Sequence, residues 1–217
     1  MRPLSALLFS CVCLCAYGEA PKVDNDVVRI VEVVHAARTP VSPLRYETNR
    51  VLVSLDAGNL QSTAADGHTS RRRWTAGQAA WVPAGESPAS ENVGSAPMRM
   101  IEIELKKPAP AKPVVRNPAM DPIVIDPKHN VLLFENDQVR VFRSWREPGA
   151  TEMMHEHTGA GRVAVLLTDL TATVKTGDGS TSPVKASSGD ALWSGAVTHA
   201  TTNLGSKKFD MIVVEVK

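Results

Sequence analysis

The stretch Gly149-Ala150-Thr151-Glu152-Met153-Met154-His155-Glu156-His157 holds two histidines one residue apart, separated from a glycine by five residues. Further on, His199-Ala200-Thr201-Thr202-Asn203 adds a third. Side chains of like parity on a β-strand project to one face, so His155 and His157 can grip a single ion while His199 arrives from another strand. Three neutral imidazoles would leave such an ion its full double charge and open positions for water, substrate or dioxygen.

Outward from this stretch the sequence reads as strands. Apolar and β-branched runs of strand length cover residues 27–34, 51–55, 98–105, 139–145, 163–167, 171–175 and 209–216, and helical periodicity is nowhere evident. Asp66-Gly67 and Asp178-Gly179 offer the positive backbone dihedrals that tight hairpins use. The expected fold class is all-β, built of antiparallel double-sheet barrels of the jelly-roll type.

The two halves repeat one another. Asn25, Asp26, Val28 and Arg29 return 111 positions later as Asn136, Asp137, Val139 and Arg140. Arg50 and Val51 return as Arg162 and Val163, and Gly77, Ala79 and Trp81 as Gly189, Ala191 and Trp193, all displaced by 112. Asn92 and Gly94 return at 111 again, as Asn203 and Gly205, a step that one deletion explains. A repeat of domain length marks two tandem barrels rather than a solenoid. Between them Pro108, Pro110, Pro113, Pro118, Pro122 and Pro127 mark a connector over 108–128, unable to sustain a helix or a central strand. The expected organisation is an export signal over 1–20, barrels over 21–107 and 129–217, and this connector.

With these residues in hand, the chain resembles the cupin superfamily, small β-barrels that often hold a divalent metal on histidines near the barrel axis. The first motif of that family asks for glycine, five residues, His, one residue, His, then three or four residues and a glutamate. Gly149, His155 and His157 comply, but the glutamate position falls on Gly161 or Arg162. The second asks for glycine, a proline-containing turn, His, three residues and Asn. Gly189, His199 and Asn203 comply, with Ser194, Gly195 and Ala196 in place of the proline turn. The resemblance implies a bicupin with one divalent ion (Fe, Zn, Mn, Ni or Cu) on His155, His157 and His199 and without the carboxylate ligand. In the first copy Gly77, Pro83, Gly85 and Asn92 fit the second motif, yet Pro88 stands at its histidine, and Pro43 and Arg45 at the places of His155 and His157. That barrel is expected to be degenerate, empty and structural.

Arg162, Asn203 and Met154 are the remaining site candidates, as groups that contact a substrate or support the ligands. A guanidinium about 6 Å from a divalent ion would cost on the order of 5 kcal/mol at an effective dielectric of ~20. Arg162 must therefore turn away or meet an anion that bridges it to the metal. Because Arg50 matches it in the barrel without histidines, an ion pair at a strand edge is the expected role. Asn203 is expected to fix the turn or to support the ligands from behind rather than touch the ion. Glu152 and Glu156 have parity opposite to the histidines and are expected in solvent, leaving no carboxylate in phase with the imidazoles. Trp81 and Trp193 are expected inside the barrels, Met153 and Met154 at the pocket mouth or as filler, and Arg71, Arg72 and Arg73 along a solvated edge. His35, His68 and His129 are expected at the surface.

Charge and the chain start bound the rest. A formal charge of +1 over 217 residues gives no reason to expect a nucleic-acid partner. Arg2, the apolar run from Leu4 to Ala16, and the small residues Ala16 and Gly18 read as a secretory signal peptide. All 3 cysteines, Cys11, Cys13 and Cys15, fall inside it, so the mature chain would form no disulfide. Leu8, Phe9, Ser10 and Cys11 loosely imitate a lipoprotein signal, but the apolar run before Cys11 is short, which favours release over anchoring. No later run is long enough to span a bilayer. Exposed barrel edges provide for a homodimer. The expected function is that of a secreted or periplasmic bicupin acting on a small organic, anionic molecule. Its three-histidine arrangement resembles that of some cupin dioxygenases; no residue is assigned a catalytic role. The alternative is a non-catalytic module that captures a small ligand or a metal.

Overall fold

The computed structural model describes residues 20–217, so the export signal read over 1–20 lies, Ala20 apart, outside the described residues. The N-terminal half contributes β1 (Val23–Asp24), β2 (Val28–His35), β3 (Pro40–Val41), β4 (Leu44–Tyr46), β5 (Arg50–Ser54), β6 (Gly58–Thr63), β7 (Thr69–Trp74), β8 (Ala79–Val82), β9 (Gly85–Ser87), β10 (Ala89–Asn92) and β11 (Met98–Leu105). After a one-turn helix, α1 (Pro122–Ile125), come β12 (Asn130–Glu135), β13 (Val139–Arg146), β14 (His155–His157), β15 (Gly161–Leu166), β16 (Leu170–Thr176), β17 (Thr181–Ala186), β18 (Ala191–Ser194), β19 (Val197–Asn203) and β20 (Phe209–Val216). The fold is all-β, with antiparallel ladders throughout.

Each half pairs a five-stranded with a four-stranded sheet. The orders are β1-β2-β11-β5-β8 and β3-β10-β6-β7 in the first half, β12-β13-β20-β15-β18 and β14-β19-β16-β17 in the second. A small ribbon, β4-β9, completes the first half. Only the glycine of each Asp-Gly pair takes a positive φ, +84° at Gly67 and +88° at Gly179; the aspartate side chains instead accept from His68 N and Ser180 N. The connector is not wholly irregular. Pro122 sits at the first helical position of α1, where its missing N–H costs nothing, and Asp121 caps the turn by accepting from Ile123 N at 2.9 Å.

Strand alternation sends apolar side chains to two different places. One parity of the five-stranded sheets faces into its own barrel: Met98 and Met100 with Trp74 and Ala80 in the first, Phe142, Ala164, Leu166 and Val213 in the second. The other parity faces out, and the two outward faces meet. Ile101, Ile103, Val51 and Val53 of the first half share one buried core with Val163, Val165, Ile212 and Val214 of the second. Trp81 and Trp193 pack against this seam, not inside the barrels.

The seam is self-complementary. A Cβ at Gly77 would lie 2.7 Å from Leu167 Cδ1, and one at the equivalent Gly189 would lie 3.4 Å from Leu55 Cδ1, the counterpart of Leu167. This reciprocity is that of an isologous interface, here between two halves of one chain. Asn49 Nδ2 donates across it to Gln138 Oε1 at 2.8 Å.

Asn92 and Asn203 play identical parts. Asn92 Nδ2 donates to His35 O and Ala96 O at 2.9 and 2.8 Å, and its Oδ1 accepts from Gly94 N. Asn203 Nδ2 donates to Arg146 O and Lys207 O at 3.0 and 2.9 Å, and its Oδ1 accepts from Gly205 N. Both are buried, so truncation strands backbone carbonyls without partners. Asn92→Ala and Asn203→Ala should each cost about 1–3 kcal/mol, read as a shift of the urea midpoint without change of slope.

Candidate metal centre

The three histidines come together because of register. β14 pairs with β19 so that His155 stands directly opposite His199, and His157, two residues on, projects to the same inner face. One imidazole nitrogen from each ring lies within 4.8 Å of the others. All three residues are buried, at 4, 3 and 3 % exposure for His155, His157 and His199.

Their outer nitrogens are engaged by the protein. His155 Nδ1 lies 2.9 Å from Met153 O, and a carbonyl only accepts, so this ring carries its proton on Nδ1 and a lone pair on Nε2. His157 Nδ1 lies 2.7 Å from Glu215 Oε1, which in its ionised form imposes the same tautomer. Thr201 Oγ1 stands 3.5 Å from His199 Nδ1, leaving His199 Nε2 buried and without a hydrogen-bond partner. Burial holds all three rings neutral: His199 is lowered to about 2, with Arg162 and His155 adding to the effect, and His157 falls well below its ordinary value. For His155 burial again dominates, with Glu152 opposing it.

This donor set fits a metal ion. With Glu215 ionised, the Nε2 lone pairs of His155 and His157 face one another at 3.2 Å, a repulsion that a cation between them turns into attraction. Two imidazole nitrogens bound at about 2.1 Å to one ion stand roughly 3.0–3.4 Å apart, which brackets that separation.

The opposite sheet supplies the surroundings. Phe142 of β13 lies parallel to the His157 ring, with centroids 6.2 Å apart. Arg162 on β15 and Arg140 on β13 flank Glu215 on β20 at the same level of the ladder. Arg140 Nη1 approaches Glu215 Oε2 at 3.4 Å and Nη2 binds Asp121 Oδ1 at 2.6 Å. Burial pushes Glu215 up to about 7, against the pull of Arg140 and Arg116.

Arg162 is not an ion pair at a strand edge: β15 is flanked on both sides, and the side chain points into the barrel, where it depresses all three histidines. The Nε of Arg162 has no partner, and neither has that of Arg50, but Arg50 Nη1 pairs with Glu102 at 2.9 Å while Arg162 makes no ion pair among the described residues. Glu152 is buried instead of solvated, accepting from Thr201 N at 3.1 Å and meeting Arg146 at 3.4 Å. The chain between Glu152 and His155 is not regular strand, so parity fails to carry across it. Glu156 is half-buried, its Oε1 accepting from Asn117 N, and Glu215 is the carboxylate in phase with the imidazoles that motif reasoning missed. Its only sequence signal is the repeat, which aligns it with Glu104.

Asn203 fixes the turn, and Met154 is half-buried next to His155 while Met153 is 51 % exposed. His68 is exposed, but His35 is half-buried and His129 is held 2.9 Å from Asp126 Oδ1. Arg71, Arg72 and Arg73 lie exposed along the edge strand β7. Among the described residues no helix is long and apolar enough to cross a membrane.

No family model and no curated protein matches the sequence. Solved structures do match the fold. AerE of Microcystis aeruginosa superposes with a TM-score of 0.64 at 13 % identity, covering 89 % of this chain and 88 % of that one. A cupin 2 conserved barrel domain protein of Leptotrichia buccalis gives 0.54 at 13 %, over 90 % and 86 %. The oxalate decarboxylase of Bacillus subtilis, a protein with Mn(II) centres, gives 0.62 at 11 %, over 88 % and 69 %. The chain thus has the cupin fold in two consecutive copies, with metal-type histidines converging in the second.

Proposed function

We propose that the C-terminal barrel holds one divalent transition metal on His155, His157 and His199, and that the site acts on a small organic anion. The observation that carries this is the convergence of three buried imidazoles, with His199 Nε2 left without a partner, beside an inward-pointing Arg162. When bound, the ion would supply Lewis-acid or redox activation to whatever occupies its open positions. Glu215 and the Met153 carbonyl orient the rings and fix their tautomers. Arg162 stands where a carboxylate ligand belongs in the family motif, so its charge and the metal's both favour an anion between them. Turnover of that anion with dioxygen is the enzymatic form of this proposal. The signal peptide read over 1–20 would direct this activity outside the cytoplasm.

Arg162→Leu is the test. In the cobalt-substituted protein, formate and oxalate should perturb the visible spectrum, and the variant should bind them at least tenfold more weakly while holding the metal more tightly. Equal anion binding by both proteins would remove Arg162 from the site. Oxygen uptake with small carboxylates divides enzyme from capture module: anion binding without uptake identifies the latter.

A further inference from the structure

The N-terminal barrel, expected to be merely structural, is hollow. Between its sheets lies a cavity of about 320 Å³, within the range of small-molecule sites. It lies inside the barrel as the histidine cluster does in the other, and of the three positions matching those histidines only Pro88 lines it, with Leu44 facing it in place of Pro43 and Arg45. Leu44 pairs with Ser87 as Glu156 pairs with Thr198, and Pro88, on the cavity wall, stands at the repeat position of His199. Pro88 also divides β9 from β10, where the second barrel has one continuous strand, β19.

The lining is apolar with a few embedded donors. Val33, Leu52, Leu60 and Met100 form much of the wall. Set among them are three residues with a buried nitrogen that has no hydrogen-bond partner: His35 at Nδ1, Arg50 at Nε and Trp74 at Nε1. Arg50 and Trp74 are each only 3 % exposed. An indole N–H and a guanidinium Nε–H can only donate, so what they lack is an acceptor. The charge of Arg50 is already met, since Nη1 lies 2.9 Å from Glu102 Oε1 and the Tyr46 ring stacks 3.0 Å from Cζ. A full anion would find no spare positive charge on Arg50, and Arg72, the other arginine of the lining, is exposed to solvent with its Cζ 4.0 Å from the Trp74 ring centroid.

We propose that this cavity is a second ligand site, which takes a small, uncharged, largely apolar molecule whose carbonyl-type oxygen accepts hydrogen bonds from the unpaired donors of Trp74 and Arg50. No metal takes part, and the site stands independently of the histidine centre.

Titration calorimetry of the full chain with acetophenone, benzoate and ethylbenzene tests this. Acetophenone should bind saturably, one molecule per chain, and equally well with or without a metal chelator. Ethylbenzene, lacking the oxygen, and benzoate, carrying a charge, should bind at least tenfold more weakly. Trp74→Phe keeps a six-membered aromatic ring but loses the N–H donor with the pyrrole ring, and should weaken acetophenone at least about fivefold, the worth of one net hydrogen bond. Ser62→Phe and, separately, Ser90→Leu add bulk to the lining and should abolish binding, with retained circular dichroism showing that each variant folds. Absence of saturable acetophenone binding would overturn the proposal. So would equal or tighter binding of ethylbenzene or benzoate, or affinity untouched by Trp74→Phe and both filling variants.

Discussion

Glu215→Leu is expected to destabilise the chain by about 3–5 kcal/mol, because it removes one member of a buried charge cluster and leaves Arg162, which has no ion pair of its own among the described residues, uncompensated. Glu215 is 2 % exposed and faces Arg140 at 3.4 Å, Arg116 at 3.8 Å and His157 at 2.7 Å, with Arg162 beside it on the next strand. Leucine matches its bulk, so the loss is electrostatic and not a matter of packing. The double variant Arg162→Met, Glu215→Leu should regain part of the stability, since the orphaned cation leaves with the carboxylate while Arg140 keeps Asp121 at 2.6 Å. Glu215→Gln preserves an acceptor for His157 Nδ1–H; that protein should fold and bind metal roughly 10–100-fold more weakly. Urea unfolding followed by tryptophan fluorescence measures the first effects, and competition with a chromophoric chelator the last. A Glu215→Leu protein as stable as the parent would show that the carboxylate does not hold the cluster together.

Ile101→Ala is expected to cost about 2–5 kcal/mol, the range for cutting a buried aliphatic side chain back to Cβ. Ile101 is fully buried in the seam between the barrels, not inside either one, and its neighbours there come from both halves. Its consequence should therefore extend beyond its own barrel. Because β11 and β20 share this core, the two halves should unfold in one transition, and the variant should lower hydrogen-exchange protection in β20 as well as in β11. Two separated transitions, or a loss confined to β11, would show that the seam is a contact of convenience. Ile212→Ala is the mirror experiment and should behave alike.

Much of this architecture is legible in the residues. The repeat at 111 and 112 positions foretells two barrels, and short alternating runs foretell most strands of the five-stranded sheets, because alternation is strong where one face meets a core. The four-stranded sheets are less visible. β7, with Arg71, Arg72 and Arg73, and β17, with Thr181, Ser182 and Pro183, lie at sheet edges whose outer faces are wet, so little hydrophobic signal marks them. Trp81 and Trp193 show a related limit: alternation says that a side chain is buried, but not on which side of the sheet the partner lies.

At the site, parity succeeds where the chain is regular and fails where it is not. His155 and His157 share a face because β14 is true strand, whereas Glu152 reaches the interior through the irregular stretch after Thr151. Glu215 escapes motif reasoning because it lies far along the chain from the histidines and meets them only through the ladder that sets it beside Arg162. The cavity of the first barrel leaves no motif at all, since hollowness depends on how Trp74, Met100 and Tyr46 pack and not on any spacing.

The most direct measurement is X-ray absorption at the metal edge of the protein after loading with zinc or manganese and removal of excess ion. One ion per chain, with a scattering pattern fitted by three imidazole nitrogens at about 2.0–2.2 Å, is the predicted result. A chain that retains no ion, or one whose ion shows no imidazole scattering, would contradict the assignment of His155, His157 and His199.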